Sequence, residues 1–596
     1  MKDLIKKILF LFSKKEKLRF LLIFVMIIIA AVLETLGIGL IVPFVEIVMN
    51  SSSLSDNQIL MSAYELFSFQ STNDFLIFSA IVLLSVFILK NIYLLFFQYV
   101  QSLVILNQQN QLSVRLFKSY ITKPYTFHLQ RNSANLLRNI NNEVPRVIYG
   151  IILSGFQLLT ELLVIACIFI LLITIAPIPT AISSITLGGS VFLFNKIFRK
   201  KIRALGKESQ AVSGNMIKWI NQGLGASKEI KVMGNERFFV QSYLKESLRN
   251  ARINRFRLML EQSPKFFLEV MIISVILGTL LIIILQGKNT SNVVSMMALF
   301  AMAAFRLMPS LTRVMALVNG IRFNRPAVDT LYEDLILDTH KGMIKSEESS
   351  KNGTETIGNR ERIYQKGIEL KNVSFRYPEQ TNYSIKNVSL SIPIGQSVAF
   401  IGESGAGKTT LVDLILGVLE PESGQILVDD ISINQQINIW QRKIGYIPQT
   451  IYLSDDSIRS NVAFGVDPKN IDDTEVWRSL EQAKLKEFVE SLPGKLDSFV
   501  GERGVRLSGG QRQRIGIARA LYNNPEILVM DEATSALDNE TEQEIMKAID
   551  GLKEEKTILI IAHRLTTIEN CDIIFQISKG QLKESVYKTK DAYSAV

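Results

Sequence analysis

The apolar residues of this chain gather into long unbroken runs, and the densest of them lie before residue 320: Phe20 to Val32, Phe75 to Leu89, Leu162 to Ile175, Val270 to Leu285 and Val293 to Ala304. Each is prolonged by apolar neighbours toward the ~20 residues that carry a helix across a bilayer. Six spans are predicted, at about 18–49, 73–100, 148–175, 177–199, 264–286 and 291–320. Between residues 91 and 123, and again between 196 and 260, the apolar spacing stays helical without strong breakers, so the flanking helices should run past the membrane surface. Thirty extra residues would project about 45 Å at ~1.5 Å per residue. The tips of these projections are expected near Pro124 to His128 and near Gly214 to Gly223, with His128 an ordinary surface histidine at a helix junction.

After this block the pattern changes twice. Lys341 to Lys366 is polar and charged, including Ser346-Glu347-Glu348-Ser349-Ser350, and reads as a linker. From Gly367 onward short β-rich stretches such as Ile368 to Leu370 and Ser397 to Ile401 alternate with helical ones, as in an α/β domain. The expected division is a polytopic α-helical membrane domain over 1–335, a linker over 336–366 and an α/β domain over 367–596, with no internal repeat.

Length agrees with this, since 596 residues exceed one hydrophobic core. The basic start (Lys2, Lys6, Lys7, Lys14, Lys15, Lys17, Arg19) raises the question of a signal peptide, but the apolar stretch that follows is too long, lacks a small-residue cleavage site and is followed by further spans. A net charge of +10 would suit nucleic acid in a soluble protein; here the basic residues collect on alternate connections, so no nucleic-acid partner is expected. The segment from Asn50 to Asp74 has no Lys or Arg and the fifth connection only Lys288, whereas the second carries Arg115, Lys118, Lys123, Arg131, Arg138 and Arg146, and the fourth is basic from Lys196 to Arg257. Both termini are therefore expected in the cytoplasm, at an inner membrane. Cys167 lies in an apolar run and Cys571 in the α/β domain, so a mutual disulfide is implausible; with three histidines and no ligand-like spacing, Mg²⁺ is the only metal expected.

The α/β domain carries the chemistry. Gly402-Glu403-Ser404-Gly405-Ala406-Gly407-Lys408-Thr409, followed by Thr410, comes after a buried strand and opens a helix. That is the context of a phosphate loop: glycines turn backbone N–H groups onto the phosphates of ATP, Lys408 adds a point charge, Thr409 offers a hydroxyl to Mg²⁺, and the helix N-terminus adds favourable potential. Asp531 ends the apolar run from Ile527, where a carboxylate can hold Mg²⁺, and Glu532 beside it is the candidate that polarises the attacking water. Ser508, Gly509, Gly510 and Gln511 precede a second helix and present another N-terminus to an anion. One ATP cannot readily use both sites from one domain.

With these motifs the chain resembles the ATP-binding cassette (ABC) family, whose two nucleotide domains sandwich two ATPs head to tail, and within it the type I exporter half-transporters. The resemblance implies that Tyr377, in Phe375-Arg376-Tyr377-Pro378, stacks on adenine, that Gln449 reaches Mg²⁺, that Gly501-Glu502-Arg503-Gly504 reports the partner's state, that Asp538 lies in the inter-subunit loop, and that His563 is the γ-phosphate switch. It further implies a homodimer with two complete sites.

The cargo is less directly written. Lys90, Lys265, Arg306 and Arg313 fall within or beside the spans, and cations there are costly unless they line a wet cavity or find partners. Arg306 and Arg313, seven apart, share one helix face. Either these residues are paired with Glu34, Glu46, Glu161 and Glu269, or some face a shared cavity that takes an anionic lipid. Phe127 to Ser133, Leu136 to Asn139 and Glu34 to Gly39 look like the corresponding passages of bacterial lipid-linked oligosaccharide flippases of the ABC class, in which a short external helix, here Gln58 to Phe69, is thought to meet the polyprenyl tail. A general lipid, drug or peptide exporter of the same fold is the alternative, and an ATP-gated channel or regulator a third.

Overall fold

The structure is a computed structural model that describes residues 2–49, 64–65, 69, 71–175, 177–285, 290–340, 364–532, 539–552, 555–562, 568 and 571–587. The expected roles of Asp538 and His563, most of the proposed external helix and most of the linker fall outside these residues, as do the side chains of Arg306 and Glu46. Two compact units emerge, residues 1–123 with 131–353, and residues 124–130 with 354–596.

The first unit is helical. Helix α1 (Lys2–Leu11) precedes α2 (Lys14–Met49), and α3 (Thr72–Thr122) follows. The start of α3 is capped by Ser71, whose Oγ accepts from the backbone N–H groups of Asn73 and Asp74 at 3.1 and 3.4 Å. It stops where it does because Pro124 disfavours helical geometry in the residue before it, and Lys123 is accordingly extended (φ −68°, ψ 149°). After α4 (Tyr125–Gln130), which is counted with the second unit, the chain forms α5 (Ser133–Arg138), α6 (Val144–Val147) and α7 (Ser154–Ile175), joined by π-helical turns at Asn139–Glu143 and Ile148–Leu153. Then come α8 (Pro177–Gly225), α9 (Ser227–Met233), α10 (Glu236–Leu285) and α11 (Thr290–His340).

Among the described residues, Asn73–Thr122 and Ser133–Ile170 are long and apolar enough to cross a membrane. Much of the apolar surface of α3 faces outward, with Leu95 74% exposed and Leu89 67%, the pattern of a helix whose solvent is lipid. Inward faces make two small cores. Ile23, Ile27 and Ala30 of α2 meet Phe97 and Val104 of α3, while Ile202 and Val212 of α8, Ile253 and Leu260 of α10 and Phe323 of α11 form the other. Gly206 lets α8 reach α11, since a Cβ there would stand 2.0 Å from the Phe323 carbonyl oxygen.

Two expectations need correction. The tip of the second projection is not at Gly214 to Gly223: α8 runs through both glycines, and the chain turns at Ala226 and at Gly234, whose φ of +65° ends α9. A glycine inside a helix costs only about 1 kcal/mol relative to alanine, too little to stop a packed helix, whereas a left-handed residue does stop one. The region 336–340 is also helical, as the end of α11.

A buried polar cluster ties α3, the first π turn and α11 together. The Tyr120 hydroxyl donates to Asp334 Oδ2 at 2.5 Å and Asn139 Nδ2 donates to the same oxygen at 2.8 Å. Nearby Glu143 is fully buried between Arg146 (3.1 Å) and Arg138 (3.7 Å), so its carboxylate is held between two guanidinium groups.

The second unit is built on two sheets. Strands β1 (Gly367–Phe375), β2 (Ile385–Pro393), β4 (Ser423–Val428) and β5 (Ile431–Ser432) form an antiparallel sheet in the order β2-β1-β4-β5. The other sheet has the order β10-β9-β3-β8-β7-β6, with β3 (Ser397–Ile401), β6 (Ile444–Ile447), β7 (Ile527–Asp531), β8 (Thr557–Ile561) and β9 (Ile573–Ser578) parallel and only β10 (Gln581–Tyr587) antiparallel. Every residue of β7 and β8 is buried, as expected for central parallel strands covered on both faces.

Candidate active site

The phosphate loop leaves the carboxyl end of β3 and opens helix α12 (Lys408–Ile415). Gly402 has φ +148° and a Cβ there would stand 2.1 Å from the Ile577 carbonyl oxygen; Gly407 has φ +104° and would bring a Cβ to 2.7 Å from that of Ser384. Only glycine fits either position, so the loop is locked against its surroundings. The Ala406 N–H donates to the Glu403 carbonyl at 3.1 Å, closing the turn, and Lys408 Nζ reaches back to donate to the carbonyls of Gly402 (2.9 Å) and Glu403 (3.0 Å). Burial holds the Lys408 pKa below the usual lysine range, opposed by the charges of Glu532 and Asp531.

Asp531 is the last residue of β7, buried and in register with Ile561 of β8. At Glu532 the backbone turns sharply, with φ +48°, and its N–H donates to the Ile561 carbonyl at 3.3 Å. A glutamate in left-handed geometry is uncommon. Gln449, just beyond β6, donates from Nε2 to Glu532 Oε2 at 2.7 Å, so a strand neighbouring β7 supplies the partner that fixes this carboxylate.

Tyr377 lies edge-on to Phe375, with ring centroids 5.1 Å apart, and its hydroxyl is 3.1 Å from Thr410 Oγ1 on α12. Burial raises its pKa. A cavity of about 530 Å³ is bounded by Tyr377, Ser404, Gly405, Gly407, Lys408, Thr409, Thr410 and Glu532, a volume that suits a nucleotide. The oxygen set of Thr409, Gln449 and Asp531 is of the hard, carboxylate-and-hydroxyl kind that fits Mg²⁺, which takes few protein ligands and completes its shell with phosphate and water.

Sequence reasoning missed part of the wall. Asn382, Tyr383 and Lys579 also line the cavity. Lys579 and Gly580, both left-handed, make the two-residue turn between β9 and β10, and the Gly580 N–H donates to the Ala406 carbonyl at 2.9 Å. The turn is legible in Ser578-Lys579-Gly580-Gln581; its attachment to the phosphate loop is not, because the two are far apart along the chain.

Ser508, Gly509, Gly510 and Gln511 are placed elsewhere. They open helix α13 (Gly509–Leu521) with a reciprocal capping box, in which Ser508 Oγ accepts from the Gln511 N–H (3.2 Å) and Gln511 Oε1 accepts from the Ser508 N–H (2.8 Å). None of the four lines the cavity.

In the first unit Arg313 of α11 is bound to Glu161 of α7, its Nε at 2.5 Å and Nη2 at 3.2 Å from the two carboxylate oxygens. Lys90 of α3 lies 4.9 Å from the Phe87 ring centroid, and Lys265 of α10 is exposed. The three cations stand on three helices, and one already has a carboxylate. His128 is half-buried and edge-on to Phe127.

Comparison with known proteins agrees with both halves. Residues 20–309 match the ABC transporter transmembrane region and residues 385–535 the ABC transporter domain. An ATP-dependent lipid A-core flippase of Ralstonia nicotianae is 30% identical over 501 residues, 82% of this chain and 80% of that protein. Proteins of the same description from Cupriavidus metallidurans (31% over 483 residues, 80% and 78%) and Saccharophagus degradans (30% over 520 residues, 85% and 83%) are similar to a like degree. The solved structure of a bacterial Atm1-family ABC exporter with ATP bound superposes with a TM-score of 0.72 over 96% of this chain and 95% of that one, at 20% identity, a likeness of fold. With a membrane region and an ATPase on one chain, the protein belongs to the ABC transporter family, as an exporter that couples ATP hydrolysis to transport.

Proposed function

We propose that this chain works as a homodimer in the inner membrane, with its termini and ATPase in the cytoplasm, and moves an amphipathic, anionic lipid-linked saccharide from the cytoplasmic to the outer side. The observation that carries the dimer is the separation of the phosphate cradle from the Ser508 to Gln511 helix start, which line no common cavity. A second copy supplies the missing cover for each cradle. The division into a membrane domain (1–335), linker (336–366) and cassette (367–596) belongs to the same reading, with 336–340 taken up by the end of α11.

Within each composite site Tyr377 stacks on the base, the loop from Gly402 to Thr410 and Lys408 hold the phosphates, and Thr409, Gln449 and Asp531 would hold Mg²⁺, which when bound would neutralise phosphate charge. Glu532 accepts a hydrogen bond from the attacking water and orients it in line, with Gln449 setting the carboxylate's direction. Lys408 exchanges its two carbonyl acceptors for phosphate oxygens when ATP enters. His563 and Asp538 act at the γ-phosphate and across the subunit boundary.

For the cargo, the relatives named as lipid A-core flippases and the passages around Glu34, Phe127 and Leu136 support a phosphorylated glycolipid, with a lipid-linked oligosaccharide the specific reading. The Arg313–Glu161 pair favours a second reading, a general lipid, drug or peptide exporter, because it removes one cation from the anion-binding set. Reconstitution into liposomes with fluorescent lipid-linked oligosaccharide separates them. ATP-dependent loss of outward-accessible label, absent in Glu532→Gln, is expected; ATPase stimulated only by uncharged amphiphiles, with no glycolipid movement, would overturn the flippase reading and leave the ATPase intact.

A further inference from the structure

Outside the nucleotide site, helices α8 and α10 enclose a second cavity of about 560 Å³. Its floor is apolar, made by Leu205, Ile253 and Phe256 with Leu248 exposed at the edge, and its rim carries Lys201, Lys245, Arg249 and Arg252 against a single carboxylate, Glu208. That carboxylate is taken by Arg249, at 2.7 Å. Lys201 lies over the Phe256 ring, 4.2 Å from its centroid, and among the described residues neither it nor Lys245 or Arg252 has a carboxylate partner. An apolar floor under an unneutralised cationic rim selects an amphiphile with an anionic head.

Depth along the helices narrows the choice. The Lys201–Phe256 and Glu208–Arg249 contacts share one antiparallel register, which sets Ile197 of α8 opposite Leu260 of α10, next to Met259. Ile197 and Met259 are large, apolar and outward-facing (62% and 54% exposed), and they lie close to the expected end of the fourth span near residue 199. Lys201 and Arg252 follow at about 6 and 10 Å below that level, counting ~1.5 Å per residue. That is close to the headgroup layer, which adds about 5 to 8 Å to each side of the hydrocarbon core.

We propose that this groove holds an anionic phospholipid of the cytoplasmic leaflet, one acyl chain lying along Leu205, Ile253 and Phe256 up to Ile197 and Met259, its phosphate between Lys201 and Arg252. Lys245 continues the positive rim for a larger headgroup. The inference rests on the cytoplasmic placement of this connection and is independent of what the exporter carries. Basic pockets between membrane helices at a cytoplasmic surface recognise such headgroups by charge, with little demand on chain length. A lipid wedged here would bear on the α8–α10 pair itself, the element that ends in α9.

The test uses the full chain in phosphatidylcholine nanodiscs containing a trace of phosphatidylglycerol with a photoactivatable diazirine on its acyl chain, read by mass spectrometry of the labelled peptides. Labelling concentrated in 245–256 is expected, well above that from the matching phosphatidylcholine probe. Replacing Lys201→Gln and Arg252→Gln together should cut it by about 25-fold, roughly fivefold for each cation lost, while Lys201→Arg with Arg252→Lys keeps it. Fluorescent ATP binding, measured in parallel, checks that the variants are folded. Equal labelling by both headgroups overturns the proposal, as does persistence of labelling in a folded double Gln variant. So does an efficient cysteine crosslink between two copies through position 252, which would show the groove covered by a second chain.

Discussion

Glu532 is where sequence and geometry meet most closely. Its position after Asp531 already makes it the candidate proposed to handle water, but its left-handed backbone and its hydrogen bond from Gln449 come only from the folded sheet. Replacing Glu532→Gln should keep fluorescent ATP binding and lower phosphate release by at least about 100-fold, the lower range for loss of a general base. Tyr377 offers a finer test. Its hydroxyl bond to Thr410 is worth about 1 kcal/mol, so Tyr377→Phe should raise KM for ATP about fivefold with kcat nearly unchanged, in a steady-state ATPase assay. Asp413, on α12 behind the phosphate loop, was not singled out by sequence. Burial, with the charge of Asp531, pushes its pKa up to about 6, from an ordinary 3.8. The folded state therefore binds this proton more tightly than the unfolded one, so the site costs stability above pH 6 and the cost disappears as pH falls through 6 toward 3.8. Because the group is partly exposed, the penalty is discounted to about 1 kcal/mol. Asp413→Asn should raise the melting temperature of the nucleotide-free protein by about 3 °C at pH 7.5 and by almost nothing at pH 4, in paired thermal scans.

At the scale of elements, the hydrophobic runs located helices well and their ends poorly. Helix α3 follows its apolar spacing until Pro124 stops it, a local rule that sequence carries in full. The α8 helix instead passes through Gly214 and Gly223, because lateral contacts outweigh the small local preference against helix at glycine. The two π turns at Asn139–Glu143 and Ile148–Leu153 leave no signal in the apolar period; they accompany buried groups, Asn139 bound to Asp334 of the distant α11 and Glu143 held between Arg138 and Arg146. Helix packing gives a direct prediction. Gly206→Ala forces a methyl onto the Phe323 carbonyl of α11 and should destabilise the first unit by about 1 to 3 kcal/mol, seen as a lower melting temperature and early aggregation in detergent. Gly188→Ala, on the same helix with nothing within 4 Å, should be neutral or slightly stabilising.

For the whole molecule, the proposed homodimer makes the second copy part of the catalyst, with the phosphate cradle of one chain covered by the Ser508 to Gln511 helix start of the other. Mixed dimers test this. A chain carrying Lys408→Ala and a chain carrying Ser508→Arg should each be inactive as homodimers, yet together they form one composite site with both defects and one with neither. Co-purified mixed dimers, selected by two affinity tags, should regain ATPase that neither parent has; continued inactivity would mean that each chain completes its own site. By itself the sequence determined the ATPase chemistry and the membrane character, because phosphate loops, helix starts and apolar runs are local in the chain and obey local rules. Only the tertiary structure decided that Gln449 holds Glu532, that the Lys579–Gly580 turn closes the nucleotide cavity, that Glu161 engages Arg313, and that α8 and α10 leave a cationic groove. Each of these joins residues from separate strands or helices, and such distances are set by packing, which no short-range pattern encodes.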